Sequence, residues 1–472
     1  MRGLVLRSAV TLAALLLIAT PLVSAQDASA PERPSYTFLR QAEDWSRFFS
    51  GAADADTFDP IKHVEITSDG SVWASFGGRV EARFELWRNF LFGAEIGDAP
   101  VDDEFVVSRV IVHGDLHVGD RFRAYVEGKS AQATERELAG GRRGIDMDTI
   151  ALQQAFVDFT TLTENGYVRI RPGRQALLFG AQRLVSPLPW GNTLRTWDGV
   201  TAEWRTGPWS VTGLATWFVP VDKTEFNGVD RDQPLYGVYA RRDVNESGRG
   251  LELYGLGSGR ENVVVNGTAG DARRWTLGAR SWGALSERTD LEIEAAYQLG
   301  EVGEGDVSAW FVAAEAGWKP MDALGDARFW VGLDAASGDD EFGGDVGTFD
   351  QLYPLRHAYL GYADFVGRQN SLAVSAGVTW RLEEDTTLSI DAHHFRVMES
   401  DDALYSAGGQ PIRSGFTSSE VGHEVDVLLQ TNLGRHVRAY AGYSRFFAGA
   451  ALEETGAAED VDFVYVGTSF TF

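Results

Sequence analysis

The sequence predicts an all-β fold: a transmembrane antiparallel β-barrel of about 18 strands, with short periplasmic turns and long extracellular loops. Three observations predict it. Apolar and polar residues alternate with a period of two from residue 71 to the C-terminus. Short and long connections alternate along the chain between these stretches. The N-terminus has the pattern of an export signal.

Composition excludes several classes of protein. The chain has 472 residues, 44% of them hydrophobic and 12% aromatic, which is too apolar for a disordered protein. It has no Cys, which excludes disulfides, thiolate nucleophiles and Cys-ligated metals. The net charge of −26 argues against a nucleic-acid partner, because such binding needs a basic surface. Only 4 of the 42 basic residues are Lys, so a cationic site would be built from Arg; codon composition explains the bias equally well.

The first 25 residues are predicted to be a signal peptide. Arg2 and Arg7 precede an apolar run at 9–18, and Val23-Ser24-Ala25 offers small residues before a cut at Gln26. The apolar run is too short to span a bilayer as a helix. Its removal would change the net charge to −28 and leave an exported protein without a transmembrane helix.

The strand pattern is clearest over residues 72–87. Even positions are apolar, including Phe76 and Phe84, whereas odd positions carry charges such as Arg79 and Glu85. Side chains alternate between the faces of a strand, so one face is apolar and the other polar. Sixteen residues are long for a strand of a soluble sandwich, and they suit a tilted strand that crosses a membrane.

The connections predict the strand number and the orientation. Eight short and nine long connections alternate, so 18 strands are expected and both termini lie on the short-turn side. A large soluble sandwich is the alternative, as is a propeller, although no repeated blade motif is present. The expected domains are the signal peptide at 1–25, a plug-like periplasmic lead segment at 26–70 and the barrel at 71–472. The long connections are expected near 89–103, 132–148, 174–197, 220–233, 258–272, 300–306, 337–370, 398–420 and 447–460.

The last strand ends on an aromatic residue. Val464, Val466, Phe470 and the terminal Phe472 share one face. This end resembles the signal that the barrel-assembly machinery reads in bacterial outer-membrane proteins, and an ordinary amphipathic edge strand is the alternative. The protein is therefore expected in the outer membrane of a Gram-negative bacterium, in contact with lipid and lipopolysaccharide.

Four blocks of the sequence follow one family pattern in order. They are FLRQAEDW at 38–45 with FDPIK at 58–62 and GGRVEAR at 77–83; PGRQ at 172–175 with Phe179-Gly180, Arg183-Leu184, Trp190, Asn192, Arg195 and WDGV at 197–200; FDQLYP at 349–354 with His357, YLG at 359–361, Asp364 and GRQN at 367–370; and GHEVD at 422–426 with GYSRFF at 442–447. Together they resemble the alginate-export family of outer-membrane porins, from about residue 36 to the C-terminus. The resemblance implies a monomeric 18-stranded barrel that passes an anionic exopolysaccharide through an Arg-lined constriction. It also implies a periplasmic scaffold lipoprotein as a partner.

Arginine is the residue type best suited to bind an anionic exopolysaccharide. A polyuronate carries one carboxylate per sugar, and Arg binds carboxylates bidentately with a charge that does not titrate. A ring of such groups would select anions in a pore. The alternative is structural, because acidic residues share the same strand faces and Arg–Glu pairs would brace an empty barrel. The candidate pore-lining residues are Arg79, Arg83, Arg109, Arg123, Arg169, Arg171, Arg174, Arg183 and Arg195.

Two connections are candidates for the constriction. The segment 173–199 and the segment 337–370 are longer than structureless loops usually are, and such loops tend to be functional. Either could fold into the barrel. The segment 337–370 also contains an acidic stretch from Asp339 to Asp350 that lacks the ligand spacing of a calcium loop, so a divalent cation there stays unassigned.

No catalytic or cofactor motif is recognisable. His357 and His393-His394 lack the spacing of a metal site, and neither Ser186 nor Ser210 has the context of a nucleophile. A barrel enzyme is therefore the weakest of three functions. The other two are a conduit for an anionic polysaccharide, and a general or small-solute porin in which Arg residues only set a preference for anions.

Overall fold

The computed structural model describes residues 33–46, 48, 55–244, 248–320 and 325–472, and these form a closed β-barrel. Eighteen strands make the wall in the described residues, each antiparallel to its neighbours in sequence. The two-residue strand β1 extends the sheet beside β2, and β17 and β18 form a hairpin outside the wall. The strands are β1 (Val64–Glu65), β2 (Val72–Arg88), β3 (Asp103–Val118), β4 (Phe122–Ala133), β5 (Asp148–Thr163), β6 (Gly166–Gln175), β7 (Trp197–Thr206), β8 (Trp209–Phe218), β9 (Pro234–Arg242), β10 (Gly250–Val265), β11 (Thr268–Ala284), β12 (Thr289–Val302), β13 (Gly305–Trp318), β14 (Asp326–Ala336), β15 (Ser371–Glu383), β16 (Thr386–Val397), β17 (Leu404–Tyr405), β18 (Pro411–Arg413), β19 (Glu420–Leu433), β20 (Val437–Ala448) and β21 (Val461–Thr471).

The barrel closes between its first and last wall strands. β2 pairs with β21 from Arg79 opposite Thr471 to Arg88 opposite Asp462. This pairing leaves no sheet edge with unsatisfied backbone groups. The predicted fold and strand number are confirmed.

The two faces of β2 are those that the alternation predicts. Phe76 and Val80 are 46% and 44% exposed on the outward face, whereas Ser75 and Glu85 are buried on the lumen face. A wall with apolar residues outside and polar residues inside is typical of a barrel in lipid.

Two of the nine predicted long loops are wrong. The connection expected at 258–272 is a two-residue turn at 266–267, and the one expected at 300–306 is a turn at 303–304. The strands run on because their residues keep pairing, as Val265 does with Thr268. Asn266 and Gly267 both have positive φ, of 40° and 89°, which a two-residue hairpin turn requires and which Asn-Gly adopts readily.

Aromatic side chains fill the barrel at the long-loop end. Trp87 stacks on Phe463 at 3.9 Å between ring centroids, and Phe365 lies within 5.9 Å of Trp87 and 6.1 Å of Phe446. The short helix Ala450–Glu453 packs into the same cluster. These aromatic side chains therefore narrow the lumen at this end by packing.

The lead segment enters the lumen at the short-turn end. Arg40, in the 3₁₀ turn Arg40–Ala42, is buried and donates to the carbonyls of Gly78 at 2.9 Å and of Phe472 at 3.1 Å. Lys62 follows the 3₁₀ turn Asp59–Ile61 and donates to the Phe76 carbonyl at 2.8 Å. The predicted signal peptide lies outside the described residues. In the described part of the chain, none of the helices is long and apolar enough to cross a membrane.

Candidate functional site

Two long connections fold into the barrel. Residues 176–196, between β6 and β7, run beside residues 337–370, between β14 and β15, and form a parallel bridge at Val185 and Tyr353. The Tyr353 carbonyl accepts the Ser186 N–H at 2.9 Å. Both segments that the sequence offered as candidates for the constriction thus lie inside the barrel.

Buried ion pairs hold the two segments to the wall. Arg183 pairs with Glu292 and Glu294 of β12, with 3.2 Å between its Nη1 and Glu294 Oε2. Arg368 is fully buried and donates to the Asp334 carboxylate of β14 at 2.9 and 2.8 Å. Arg368 also donates to the Arg183 carbonyl at 2.7 Å, which links the two segments. Such pairs are costly to break, because removing one partner leaves the other charge buried and unpaired.

A close approach at Gly361 brings the second segment against β19. Gly361 has a φ of +81°, and a Cβ there would lie 2.4 Å from a carboxylate oxygen of Glu424. The same carboxylate accepts the Ala363 N–H at 2.7 Å. Only glycine fits this position, because it tolerates positive φ and lacks the side chain that would clash.

Two cavities of the lumen meet at the infolded segments, and we call them the short-turn cavity and the long-loop cavity. Their volumes are about 470 Å³ and about 530 Å³. They share the lining residues Arg83, Trp190, Gly191 and His357. We call this shared group the neck.

The neck is a stack of flat groups. The Arg83 guanidinium lies 3.7 Å from the centroid of the Trp190 indole, and the His357 ring stacks on Trp190 at 3.7 Å with a 10° angle between planes. Tyr362 continues the stack at 4.8 Å from His357, and the His357 Nδ1 lies 3.0 Å from Asp364 Oδ2. The stack fixes the indole across the junction of the cavities, because cation–π and ring contacts hold both its faces.

Both cavities have an excess of positive charge among the described residues that line them. The short-turn cavity has five Arg and one carboxylate, and the long-loop cavity has five Arg and three carboxylates. The Arg residues of the first are 79, 83, 109, 435 and 438, with Glu81, and those of the second are 83, 136, 143, 195 and 356, with Glu85, Asp146 and Asp364. The surplus is local, since the chain as a whole is strongly acidic.

Arg195 and Arg356 differ from the other Arg residues of the long-loop cavity. Neither has an ion-pair partner among the described residues: Arg195 donates to the Pro354 carbonyl at 2.9 Å, and the Nε of Arg356 is buried without a hydrogen-bond partner there. Burial, together with the charge of Arg356, lowers the pKa of Arg195 to about 9. Burial also lowers the pKa of Arg356 to about 10. The charge of Asp364 raises the pKa of Arg356 less than burial lowers it. Because neither Arg forms an ion pair among the described residues, a bound anion would be stabilised here.

Most of the other predicted Arg residues are already paired with carboxylates. Arg79 is different, since it donates to the Thr37 carbonyl of the lead segment at 3.0 Å. The pairing is what the structural alternative expects for these positions. The pairs are Arg83 with Glu85, Arg109 with Glu81, Arg123 with Asp115, Arg169 with Glu203, Arg171 with Asp158, and Arg183 with Glu292 and Glu294.

Three of the predicted residues line a different cavity. Arg123, Arg169 and Arg171 face a space of about 620 Å³ at the short-turn end, beside the lead segment. Arg123 donates to the Gln41 carbonyl at 2.8 Å, which ties the lead segment to the wall. They are thus separated from the neck, whereas Arg79, Arg83, Arg109 and Arg195 lie in the cavities that meet there.

The structure corrects the predicted position of Arg174 in the pore lining. It was expected at the start of the infolded connection, but β6 continues to Gln175 with an unbroken register against β7. Alternation therefore places Arg174 on the outward face with Ile170, which is 46% exposed. There it forms a bidentate pair with Asp198, at 2.7 and 2.9 Å. Arg174 does not line the pore.

One triad of catalytic residue types is present in the wall. Ser375 Oγ lies 2.7 Å from His393 Nδ1, and His393 Nε2 lies 3.4 Å from Asp426 Oδ2. All three side chains are buried, and none lines the three cavities described above. A nucleophile needs an open space where a substrate can reach it, and Ser375 has none among these cavities. We therefore interpret Ser375, His393 and Asp426 as a row of polar contacts that joins the neighbouring strands β15, β16 and β19.

Several lumen residues were missed by reasoning from the sequence. Arg136 and Arg143 lie in the connection before β5, Arg356 in the second infolded segment, Arg435 in the turn before β20, and Arg438 at the second position of β20. Arg356 stands beside His357 in the third family block, which was the one available signal. Arg136, Arg143 and Arg435 lie in loops and turns, where period-two alternation carries no information about direction. Arg438 lies on β20 opposite Ser469, so alternation within that strand could have placed it on the lumen face.

An 18-stranded barrel with infolded loops and a charged lumen defines a class, the channels and porins of the outer membrane. The chain belongs to the alginate-export family: the family model described as "Alginate export" matches residues 72–465. A comparison with curated proteins found no match.

Solved structures with a similar fold are outer-membrane proteins. OccK11 (OpdR) of Pseudomonas aeruginosa aligns with a TM-score of 0.55 and 10% identity, over 87% of this chain and 98% of that one. OccAB2 of Acinetobacter baumannii aligns with a TM-score of 0.57 and 10% identity, over 84% and 98%. OpdK of Pseudomonas aeruginosa, solved with vanillate, aligns with a TM-score of 0.54 and 10% identity, over 84% and 98%. At these identities the likeness concerns the fold alone.

Proposed function

We propose that the protein is a channel of the Gram-negative outer membrane that passes an anionic, polyuronate-like exopolysaccharide. The observation that carries the proposal is the pair Arg195 and Arg356 in the long-loop cavity: Arg356 is buried, Arg195 is partly buried, and neither forms an ion pair among the described residues. A uronate carboxylate can accept from both guanidinium groups, and sugar rings stack well on an indole such as that of Trp190.

The orientation follows from the barrel class. Short turns face the periplasm and long loops face outward in outer-membrane barrels. In this orientation the long-loop cavity is the outer vestibule, and the lead segment lies at the periplasmic entrance. The proposal includes three further partners: the barrel-assembly machinery, lipopolysaccharide and a periplasmic scaffold lipoprotein. In this proposal the barrel acts as a monomer and catalyses no reaction.

The small size of the cavities favours a second candidate function, a porin for small anions. The two cavities that meet at the neck have volumes of only about 470 and 530 Å³. OpdK, which has a similar fold, was solved with the small carboxylate vanillate. A porin for small anions would use the same Arg residues without a polymer.

Bilayer electrophysiology separates the two. The purified barrel would be titrated with polymannuronate, with neutral dextran of equal length, and with vanillate, while single-channel current and the reversal potential in a KCl gradient are recorded. A polysaccharide conduit predicts anion selectivity and block by polymannuronate at concentrations where dextran has no effect. Block by vanillate with none by polymannuronate would favour the small-anion porin, and equal block by dextran would contradict both.

A further inference from the structure

Two histidines from different strands meet on the outward face of the barrel. His394 of β16 and His423 of β19 are direct cross-strand partners, with ring centroids 4.6 Å apart. Their neighbours in sequence, His393 and Glu424, are buried on the lumen face, as alternation requires. This outward pair lies near the long-loop end, three residues from the end of each strand. It is separate from the lumen and from the proposed function.

The distance between the two rings fits a metal ion. His394 Nδ1 and His423 Nδ1 are 3.3 Å apart. Two imidazole nitrogens at about 2.0–2.1 Å from a tetrahedral zinc ion lie about 3.3–3.4 Å apart. The rings are thus already placed at the separation of two ligands of one ion, across strands whose register fixes their backbones.

Glu420 completes the group. Its Oε1 lies 3.3 Å from His423 Nε2, and one ligand atom from each of the three residues lies within 4.8 Å of the others. A carboxylate that accepts from Nε2 leaves the lone pair of Nδ1 free for a metal, which is how acidic residues support His ligands in metal sites. The guanidinium of Arg396, a cation whose charge acts on His394, donates to Ser419 Oγ at 3.1 and 2.6 Å.

We propose that His394, His423 and Glu420 form a surface site for a borderline divalent cation such as Zn²⁺. The two imidazole nitrogens are the metal ligands and suit Zn²⁺, Cu²⁺ and Ni²⁺, while Glu420 supports His423 through its other ring nitrogen. Ca²⁺ and Mg²⁺ prefer sites made of oxygen alone. His423 and Glu420 are about half exposed, at 53% and 46% of their side chains, so water completes the coordination. The ion would join β16 to β19, the two strands that are separated in sequence by the long connection 398–419.

Zinc titration of the purified barrel tests the proposal. The protein is produced without a histidine tag, stripped with a chelator in detergent at pH 7.5, and titrated with ZnCl₂ by calorimetry and with CoCl₂ by visible absorbance. One equivalent of zinc is expected. His394→Ala and His423→Ala should each weaken binding about tenfold or more, and Glu420→Gln should weaken it less.

His117→Ala is the matched control, because it removes a histidine of β3 from the lumen face. It should leave the affinity unchanged. Folding of each variant is checked by its heat-modifiable gel mobility, and His394→Asn and His423→Asn replace any Ala variant that fails this check. A wild-type barrel that binds no zinc, or binds it equally in the His394 and His423 variants, would overturn the proposal.

Discussion

The Arg83 guanidinium lies 3.7 Å from the centroid of the Trp190 indole, at the point where the two lumen cavities meet. Arg83 also donates to the Trp190 carbonyl at 2.9 Å and pairs with Glu85 at 2.7 Å. A wall residue thus holds the side chain and the backbone of an infolded loop in one place. We therefore expect the width of the neck to depend on this contact.

Trp190→Ala should increase single-channel conductance, because it removes the indole that both cavities share while the Arg183 and Arg368 anchors remain. Trp204→Ala is the control, since Trp204 is 51% exposed on the outward face. Conductance measured in planar bilayers should rise only for the first variant. Equal conductance in Trp190→Ala and the wild type would show that the neck does not limit the current.

Phe84→Arg should destabilise the barrel by about 2–4 kcal/mol if Phe84 lies near the membrane midplane, because it puts a charge on the lipid face. Arg83→Ala, one position away on the lumen face, should keep the fold. The comparison uses heat-modifiable mobility on gels and urea unfolding in lipid vesicles. Loss of the folded band for Arg83→Ala with retention for Phe84→Arg would invert the assignment of faces.

A cysteine at Phe342 should react with an impermeant maleimide on intact cells, and a cysteine at Glu384 should not. Phe342 is 77% exposed in the second infolded segment, and Glu384 lies in the short turn between β15 and β16. The chain has no Cys of its own, so labelling reports these positions alone. The reverse labelling pattern would place the short turns outside the cell.

Docking of the lead segment should become more stable as pH rises from about 8 to 10.5. Burial lowers the pKa of Lys62 from 10.5 to about 8, so the undocked segment binds more protons than the docked one in this window. The mobility of a spin label at Ser46→Cys, followed in urea at pH 7.5 and 9.5, measures the docking. Lys62→Met should abolish the difference, and a difference that persists in Lys62→Met would assign it to another group.

The sequence predicted the parts of the fold that depend on local periodicity. The alternation over 72–87 gave the strand and both of its faces correctly, because side-chain direction in a strand depends only on position parity. One of the two errors in the loops comes from turn chemistry, because Asn266-Gly267 is a hairpin signal that lies inside the long loop predicted at 258–272.

The site was predicted less well, because it depends on register and on loops. Arg174 was placed in the lumen on the assumption that β6 ended before it, and a strand only two residues longer moved it to the outward face. The pairing of His394 with His423, and the row from Ser375 to Asp426, arise from strands that are distant in sequence. Their register is set by the closed barrel, so spacing within one segment could not show them.

Anion binding by Arg195 and Arg356 is the central claim, and polyuronate block of matched variants tests it most directly. Arg195→Ala and Arg356→Ala should each weaken block by about 1.5–3 kcal/mol, or roughly tenfold to a hundredfold, and should lower the anion preference of the current. Arg195→Lys should also weaken block, since Lys lacks the planar fork that binds a carboxylate bidentately. Arg174→Ala, on the outward face, should leave block and selectivity at wild-type values. Unchanged block in the Arg195 and Arg356 variants, or a loss confined to Arg174→Ala, would contradict the account.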